Sequence, residues 1–437
     1  MSSEPLQLGL IGVGNVGAGV ANILLNHPER IARRSGRQIV IRRAVVRDLS
    51  KSRGIELPAG VLSDDIQSVI NDPDITIAVE LMGGIHPARE VVLALLRAGK
   101  DVVTANKALL CEHGDEIFQT ASELGRTVAF EAAVAGGIPI IAAVGQSMAA
   151  NQIVGIQAIL NGTSNYILSE MLLRGMSYAD ALRGAQELGY AEADPALDVN
   201  GTDAAQKLGI LAQLAFGTRT PLAAFHCSGI DKLESADIEN AGNLGYTIKL
   251  LASARLIEGR LELSVRPTLI RRDRSLAQTH GPFNAILLDG DVVGSVWYSG
   301  RGAGQDPTAS AVTADIIDLA IGRAQLTFSR LDLWNESQGF PLVPVEETAS
   351  RFYLRLAVED RPHVMADITD ILGRNGISLA SVIQREAPEV DSSSPVPTVP
   401  LVIMTHRTTT GQLLAAEKEL HNLTSVRRPW TVLAVAD

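Results

Sequence analysis

The strongest constraint on the fold is a glycine-rich turn between a strand pattern and a helix pattern near the start of the chain. Residues 6–13 are apolar and read as a buried strand, GVGNVG occupies 12–17, and helical periodicity follows. A dinucleotide-binding turn requires this order of elements. We expect Gly12 to allow the tight turn, Gly14 to admit the pyrophosphate, and Gly17 to let helix and strand pack closely. An ordinary tight turn is the alternative.

Further strand patterns at 38–46, 75–84, 101–106 and 127–134 alternate with helix patterns. This alternation predicts a Rossmann-type, doubly wound parallel sheet, which binds ligands at the carboxyl ends of its strands. Strand-end residues should therefore surround the cofactor: Gly83, Thr104, Asn106 and Lys107. A lysine at a helix start is disfavoured by the helix dipole, which favours a functional role for Lys107 over a surface position.

The end of the second strand bears on cofactor choice. Arg47 is suited to a 2′-phosphate, whereas the adjacent Asp48 is suited to an unmodified ribose. We expect NADP as the cofactor, with NAD left open.

A second informative stretch, at 189–207, reads GYAEADPALDVNGTDAAQK and opens an apolar helix. It holds four carboxylates, Glu192, Asp194, Asp198 and Asp203, and one lysine, Lys207. Asp203 and Lys207 are four residues apart, so they share one helix face. The stretch is predicted to be a loop between two helices, where catalytic groups tend to lie. The alternative is a solvated acidic loop beside a lysine that extends to solvent.

Charge and composition exclude several classes of protein. The net charge of −11 argues against nucleic acid or an anionic membrane as partner. Cys111 and Cys227 have neither disulfide nor zinc spacing, and no run of eighteen apolar residues or signal sequence is evident. We expect a cytoplasmic globular protein.

The chain divides into three predicted domains. Residues 1–135 form the dinucleotide-binding domain, and 136–331 form an α+β catalytic and oligomerisation domain with two hairpins. A helix from about 306 should pack back towards the nucleotide domain. Residues 332–349 read as a linker, and 350–437 show the order βαββαβ of a ferredoxin-like unit. The insert at 388–398, PEVDSSSPVPT, is expected to be mobile.

Together these pieces resemble a homoserine dehydrogenase with a C-terminal ACT domain. The stretch at 189–207 matches the family signature at every defined position. VVTANKALL at 102–110, FEAAVAGGIPII at 130–141, LNGTSNYIL at 160–168 and GRGAGQDPTASAV at 300–312 also resemble that family. No kinase segment precedes the nucleotide strand, so a monofunctional member is expected.

The resemblance implies reversible, NAD(P)-dependent reduction of L-aspartate 4-semialdehyde to L-homoserine, a step towards threonine and methionine. A lysine desolvated in an apolar helix suits proton transfer, and the resemblance gives Lys207 that task, with Asp203 orienting it and Lys107 sharing it. The implied substrate residues are Glu192, Asp198, Thr163 and Lys107. The cofactor residues are then Gly12, Gly14, Asn15, Val16, Gly17, Arg47, Gly83, Thr104, Asn106, Lys107 and Gly304.

The resemblance also implies a monovalent cation, sodium in some members, held by the carbonyls of Glu131, Val134, Gly136 and Ile138. A plain interdomain turn is the alternative there. A homodimer or homotetramer is expected. Effector-binding ACT domains usually place glycine where this chain has His363, in Asp360-Arg361-Pro362-His363. We hypothesise feedback control with threonine as the effector.

Three other functions are weighed. A sugar or polyol dehydrogenase would use Lys107 for proton transfer and predicts no role for Glu192 or Lys207. An acyl-enzyme semialdehyde dehydrogenase needs a paired cysteine, and the sequence suggests no histidine partner for either one. A non-catalytic nucleotide and amino-acid sensor would not need the carboxylates and Lys207.

Overall fold

The computed structural model describes residues 4–331, 339–384 and 398–436. The chain forms two compact units. The first comprises Met1–Gly155, Gln206–Leu222 and Leu287–Phe340, and the second comprises Ile156–Ala205, Ala223–Ile286 and Pro341–Asp437. The predicted linker lies partly, and the predicted mobile insert almost wholly, outside the described residues.

The strands are listed in chain order. They are β1 (Leu6–Ile11), β2 (Ile39–Val45), β3 (Leu62–Ser63), β4 (Ile75–Glu80), β5 (Asp101–Thr104), β6 (Val128–Ala129), β7 (Ile153–Ile159), β8 (His226–Cys227), β9 (Tyr246–Ile257), β10 (Arg260–Arg271), β11 (Phe283–Gly290), β12 (Gly294–Arg301), β13 (Ala349–Glu359), β14 (Leu379–Gln384), β15 (Thr398–Thr405), β16 (Thr408–Thr409) and β17 (Val426–Val435).

The helices follow in the same order. They are α1 (Asn15–Asn26), α2 (Pro28–Ser35), α3 (Gln67–Ile70), α4 (Ala88–Arg97), α5 (Lys107–Glu123), α6 (Ile140–Ala142), α7 (Gly162–Arg174), α8 (Tyr178–Glu187), α9 (Ala196–Val199), α10 (Thr202–Phe216), α11 (Ser235–Asn243), α12 (Gln305–Ala320), α13 (Arg323–Leu331), α14 (Val364–Arg374) and α15 (Thr410–Leu420). Among the described residues, none of these helices combines the length and apolar character needed to cross a membrane.

The predicted parallel sheet is confirmed in the first unit. Its strands are ordered β3-β2-β1-β4-β5-β6, and every neighbouring pair is parallel. This is the order of a dinucleotide-binding sheet, whose crevice opens beside β1. The two-residue edge strand β3 was not predicted, because it is too short to show a periodic pattern.

Helix α12 returns to this unit and packs on α1. A Cβ added at Gly19 would lie 2.9 Å from the Cβ of Ala309. Both helices contribute to one apolar core with β1 and β2. The second glycine of the GAG at 17–19 therefore serves helix–helix contact, whereas the first serves the turn.

The second unit contains a mixed sheet in which neighbouring strands run β11-β7-β9-β10-β17-β13-β15-β14. The predicted hairpins are present, but the second turns at 291–293 because Asp289 and Gly290 continue β11. Residues 349–435 show the order βαββαβ, which confirms the ferredoxin-like prediction. The last strand, β17, pairs in parallel with β10 through Thr268↔Ala434, a continuation of the sheet that the sequence did not suggest.

Candidate active site

A cavity of about 580 Å³ lies at the carboxyl ends of β1 and β2, beside the first turn of α1. Four predicted cofactor residues line it, and Gln305 of α12 joins them. The predicted residues that line the cavity are Gly12, Gly14, Asn15 and Arg47. Val16, Gly17, Gly83, Thr104, Asn106, Lys107 and Gly304 do not form its lining.

The three glycines of the turn differ in the space that surrounds them. Gly12 has φ +100°, and a Cβ there would lie 2.6 Å from the Leu81 carbonyl oxygen. A Cβ at Gly17 would lie 2.0 Å from the carbonyl oxygen of Gly12, whereas one at Gly14 would meet nothing within 4 Å. Gly14 is the N-cap of α1, and no side chain caps the helix. Its open face and first amides therefore fit a pyrophosphate.

Positive side chains gather at the β2 end of this cavity. Arg47, Lys51 and Arg53 line it together with Asp48. The Asp48 carboxylate accepts hydrogen bonds from the Ser50 amide at 2.9 Å and the Ser50 hydroxyl at 2.6 Å. These bonds lower the pKa of Asp48 and both engage Oδ1, one of the two oxygens of the carboxylate that an unmodified ribose would need.

The carboxyl ends of β4 and β5 are joined by a buried network around Glu80. Glu80 accepts from the Met82 amide at 2.7 Å and from the Thr104 hydroxyl at 2.7 Å. Asn106 caps α5 and donates to the Gly84 carbonyl at 2.6 Å. Thr104 and Asn106 therefore fix the loops after the two strands. Our sequence reasoning missed Glu80, although an acid that closes an apolar strand was a usable signal.

The two predicted lysines lie on two helices of the first unit. Lys107 is the first residue of α5, and Lys207 lies on α10, with 9% of its surface exposed. Ala108 and Gln206, the residues next to them, line one cavity of about 270 Å³. The start of α5 therefore lies beside the part of α10 that carries Lys207.

In the second unit, the side chain of Asn161 gathers two of the predicted carboxylates. Its amide nitrogen donates to Asp198 Oδ1 at 2.8 Å and to Asp203 Oδ2 at 2.9 Å. Its oxygen caps α7 by accepting from the Ser164 amide at 2.7 Å. The segment at 161–165, whose residue types also suit a turn, therefore opens a helix, because Asn161 acts as an N-cap.

The backbone around these carboxylates is closely packed. Ser164 Oγ donates to the Asp198 carbonyl at 2.8 Å, and Thr163 Oγ1 donates to the Tyr190 carbonyl at 2.6 Å. A Cβ at Gly229 would lie 2.0 Å from the Val199 carbonyl oxygen. Asp198 lies on the short helix α9 rather than on the predicted loop. The contacts of α9 with α7 hold its carboxylate against the N-terminal turn of α7.

Glu192 and Asp194 occupy exposed positions before α9. The Glu192 carbonyl accepts from the Gln186 side chain at 3.2 Å, while its carboxylate makes no hydrogen bond within the described part of the chain. Asp194 accepts from the Ala196 amide at 3.1 Å and so shapes the turn around Pro195.

The segment predicted to hold a cation contains a buried carboxylate with amide partners. Glu131 accepts from the amides of Ile141 and Ala142, each at 2.9 Å, and burial raises its pKa to about 7. Its own amide donates to Asp315 at 2.9 Å. Burial and the Glu131 charge raise the pKa of Asp315 well above its ordinary range. Asp315 was not predicted, although it is an acid between buried apolar residues of α12.

The neighbouring loop has two consecutive residues with positive φ, Ala135 at 53° and Gly136 at 28°. In the described residues no group of three or more acidic, histidine or cysteine side chains suits a metal ion. Because amides already occupy the Glu131 carboxylate, a cation here would depend on backbone carbonyls.

Comparison with known proteins identifies the family. The profile for homoserine dehydrogenase matches residues 139–317, and that for the homoserine dehydrogenase NAD binding domain matches 12–131. The homoserine dehydrogenase of Pseudomonas aeruginosa is 43% identical over 430 residues, which cover 98% of each chain. The chain belongs to the homoserine dehydrogenase family. An ACT domain profile matches 352–424, so the predicted membership of this family, with a C-terminal ACT domain, is confirmed.

Solved structures of homoserine dehydrogenases agree with this family. The enzyme from Thiobacillus denitrificans superposes with a TM-score of 0.91 at 42% identity, covering 100% of this chain and 99% of that one. A hyperthermophilic archaeal homoserine dehydrogenase in complex with NADPH has a TM-score of 0.62 at 26% identity, covering 74% of this chain and 98% of that one. This homoserine dehydrogenase is therefore an oxidoreductase with a nicotinamide dinucleotide-binding domain.

Proposed function

We propose that this homoserine dehydrogenase reversibly reduces L-aspartate 4-semialdehyde to L-homoserine in amino-acid biosynthesis. The observation that carries the proposal is the Asn161 amide, which holds Asp198 and Asp203 together one helical turn before Lys207. This cluster combines a proton donor with fixed carboxylates, as carbonyl reduction requires. A dinucleotide, when bound, supplies the hydride for the aldehyde carbon.

The residues divide the remaining tasks. Lys207 donates a proton to the aldehyde oxygen as negative charge develops on that oxygen. In the reverse reaction it accepts the proton from the alcohol. Asp203 lies four residues earlier on α10 and orients Lys207. Asp198, held by Asn161, accepts a hydrogen bond from the substrate. Lys107 stabilises negative charge on the oxygen and shares the proton transfer.

Substrate recognition is assigned to groups on the loops around this cluster. The exposed Glu192 carboxylate pairs with the substrate ammonium group, and the α7 turn at Thr163 closes against the substrate. The test is oxidation of NADPH, followed by absorbance, when L-aspartate 4-semialdehyde is added to the purified protein. Production of homoserine in equal amount supports the proposal. Absence of turnover with both NADPH and NADH contradicts it.

We propose further that NADP is the preferred cofactor. The cavity presents Arg47, Lys51 and Arg53 at its ribose end, while Ser50 engages Oδ1 of the Asp48 carboxylate. Three cations suit a 2′-phosphate, which guanidinium groups bind with paired hydrogen bonds.

Replacing Arg47 and Arg53 together by alanine is expected to lower kcat/KM for NADPH at least about tenfold, since charged hydrogen bonds contribute about 1.5–3 kcal/mol each. The value for NADH should change less than about threefold, because no 2′-phosphate is present. Arg37→Ala, an arginine outside the cavity lining, is the control. Equal losses for both cofactors would contradict the assignment.

A monovalent cation site is proposed at the carbonyls of Glu131, Val134, Gly136 and Ile138. Its support is the positive-φ loop and the preference of hard cations for carbonyl oxygens. Activity should then rise with sodium at constant ionic strength, with choline as the balancing cation. Identical rates in sodium and choline would remove the proposal.

The ACT domain is proposed to bind threonine and to inhibit the enzyme. His363 has φ +75° at the start of α14, so the loop keeps a conformation that glycine adopts without strain. The difference from the glycine that usually occupies this position is therefore the imidazole side chain and not the backbone conformation.

His363→Gly is expected to stabilise the protein by about 1 kcal/mol, because it relieves the left-handed strain, and to increase inhibition by threonine. Urea denaturation measures the stability, and activity against threonine concentration with calorimetric binding measures the inhibition. His406→Gly, at an exposed histidine, is the control. If neither wild type nor His363→Gly binds threonine, the ACT domain does not sense it.

A homodimer or homotetramer is proposed from the edge of the ACT sheet. β14 is an edge strand, and its Val382 and Ile383 are each 38% exposed. Such edges favour pairing with another strand. Light scattering should give at least twice the 46.4 kDa chain mass, and a monomer would contradict the proposal.

A further inference from the structure

A buried lysine outside the predicted site lies on β9. Lys249 is 1% exposed, and its ammonium group donates to Asn165 Oδ1 at 2.9 Å and to the Thr279 carbonyl. Within the described residues it forms no ion pair with a carboxylate. Burial lowers its pKa to about 7. A buried cation without an anionic partner is costly, so the two hydrogen bonds of Lys249 are the interactions that offset this cost.

Its first partner, Asn165, binds a whole backbone segment. The Asn165 amide nitrogen donates to the carbonyls of Thr279, Gly281 and Phe283, at 3.1, 2.9 and 3.1 Å. Ser169 adds to this contact by accepting from the Gly281 amide at 2.9 Å. The Asn165 oxygen is left for Lys249. Lys249 therefore completes the hydrogen bonding of the residue that fastens segment 279–283 to α7.

The same segment supports the other side of the α7 N-terminus. A Cβ at Gly162 would lie 2.8 Å from the Pro282 carbonyl oxygen. Asn284 donates to the Leu160 carbonyl at 3.1 Å. Residues 160–165 are thus packed against 279–284, with little free space.

This first turn of α7 carries the polar groups of the proposed site. Asn161 holds Asp198 and Asp203, and Ser164 holds the Asp198 backbone. Asn165 lies in the first turn of α7, directly after Ser164, whose amide bonds to the N-cap residue Asn161. A shift of the turn would move the carboxylates that support Lys207.

We infer that Lys249 is a positioning residue of the active site, which acts through Asn165 to fix the first turn of α7 and hence Asp198 and Asp203. The inference rests on the proposed function for its kinetic consequence. Lys249 does not contact the substrate. It contributes by fixing the positions of the Asp198 and Asp203 carboxylates. Misplacement of about 1 Å can cost about 10²-fold in rate.

The kinetic test compares Lys249→Met with Lys232→Met, which alters an exposed lysine. Lys249→Met fills the same volume without a donor. Its kcat/KM for the semialdehyde should fall at least about tenfold. The Kd for NADPH should stay within about twofold, because the nucleotide cavity belongs to the other unit. Lys249→Gln, which retains an N–H donor, should recover part of the loss.

Two further readouts do not depend on turnover. Amide hydrogen exchange at 162–165 should accelerate in Lys249→Met and remain unchanged in Lys232→Met. Stability should also respond to pH. An unfolded lysine keeps its proton to about pH 10.4, whereas folded Lys249 releases it near 7, so wild-type stability gains a rising contribution from about pH 7 to 10. The neighbouring titratable group is His280, whose pKa is lowered by burial and by the Lys249 charge. Its imidazole is therefore neutral across this pH range.

The outcomes separate the two hypotheses. A wild type without turnover counts against the proposed function, while hydrogen exchange still tests the positioning role. An active wild type with Lys249→Met within about twofold in kcat/KM and unchanged exchange at 162–165 would overturn the inference. If Lys249→Met does not fold, Asn165→Ser is measured in its place and should show the same selective loss.

Discussion

Lys207→Ala is expected to lower kcat for L-aspartate 4-semialdehyde reduction by about 10²–10⁴-fold, the usual contribution of a positioned acid or base. The substitution removes the proton donor, whereas Asn161 still holds Asp198 and Asp203 together. Stopped assays of homoserine formation would measure the loss. The Kd for NADPH should hardly change, because Lys207 does not line the nucleotide cavity.

Lys232→Ala, at an exposed position, provides the matched control and should retain full activity. An active Lys207→Ala would assign proton transfer elsewhere, with Lys107 as the next residue to replace. That result would also favour the sugar or polyol dehydrogenase alternative, in which Lys107 alone transfers the proton.

Asp237→Ala should cost about 3–5 kcal/mol of unfolding free energy, as expected when one partner of a buried ion pair is removed. Asp237 is fully buried and accepts from Arg355 at 2.6 and 3.0 Å. It also accepts from the Thr431 hydroxyl at 3.2 Å and the Tyr353 hydroxyl at 3.3 Å. Burial raises the pKa of Tyr353, with the Asp237 charge as a further cause, so this hydroxyl remains a donor.

The network joins α11 to β13 and β17, and β17 is the strand through which the ACT sheet pairs with β10. Urea denaturation would measure the change. Asp273→Ala breaks an exposed pair with Arg271 and should leave stability almost unchanged. Similar midpoints for the two variants would show that the buried network contributes little.

The fold of the nucleotide-binding domain could be predicted from the sequence because it depends largely on local patterns. Gly17 is required by a neighbour within the same turn, because a Cβ there would lie 2.0 Å from the Gly12 carbonyl oxygen. The alternation of strands and helices then predicts the parallel sheet. The ACT order βαββαβ was readable for the same reason, because each element carries its own periodic pattern.

Short or compound elements were less readable. β3 has two residues and α9 has four, too few for a period to appear. Residues 161–165 contain turn-forming types, but the Asn161 side chain makes them the start of α7. Propensity does not distinguish a turn from a capped helix start when both use Asn and Gly.

The sequence by itself determined the parallel sheet of the first unit, the glycine turn between β1 and α1, and the ACT fold. It also supplied the lysines that we propose for proton transfer. Only the tertiary structure decided three sets of hydrogen bonds: from Asn161 to Asp198 and Asp203, from Arg355 to Asp237, and from Lys249 to Asn165. These contacts join positions separated by 37 to 118 residues. No local pattern encodes such pairs, because a buried polar group takes its partner from whatever segment the fold brings within hydrogen-bonding distance.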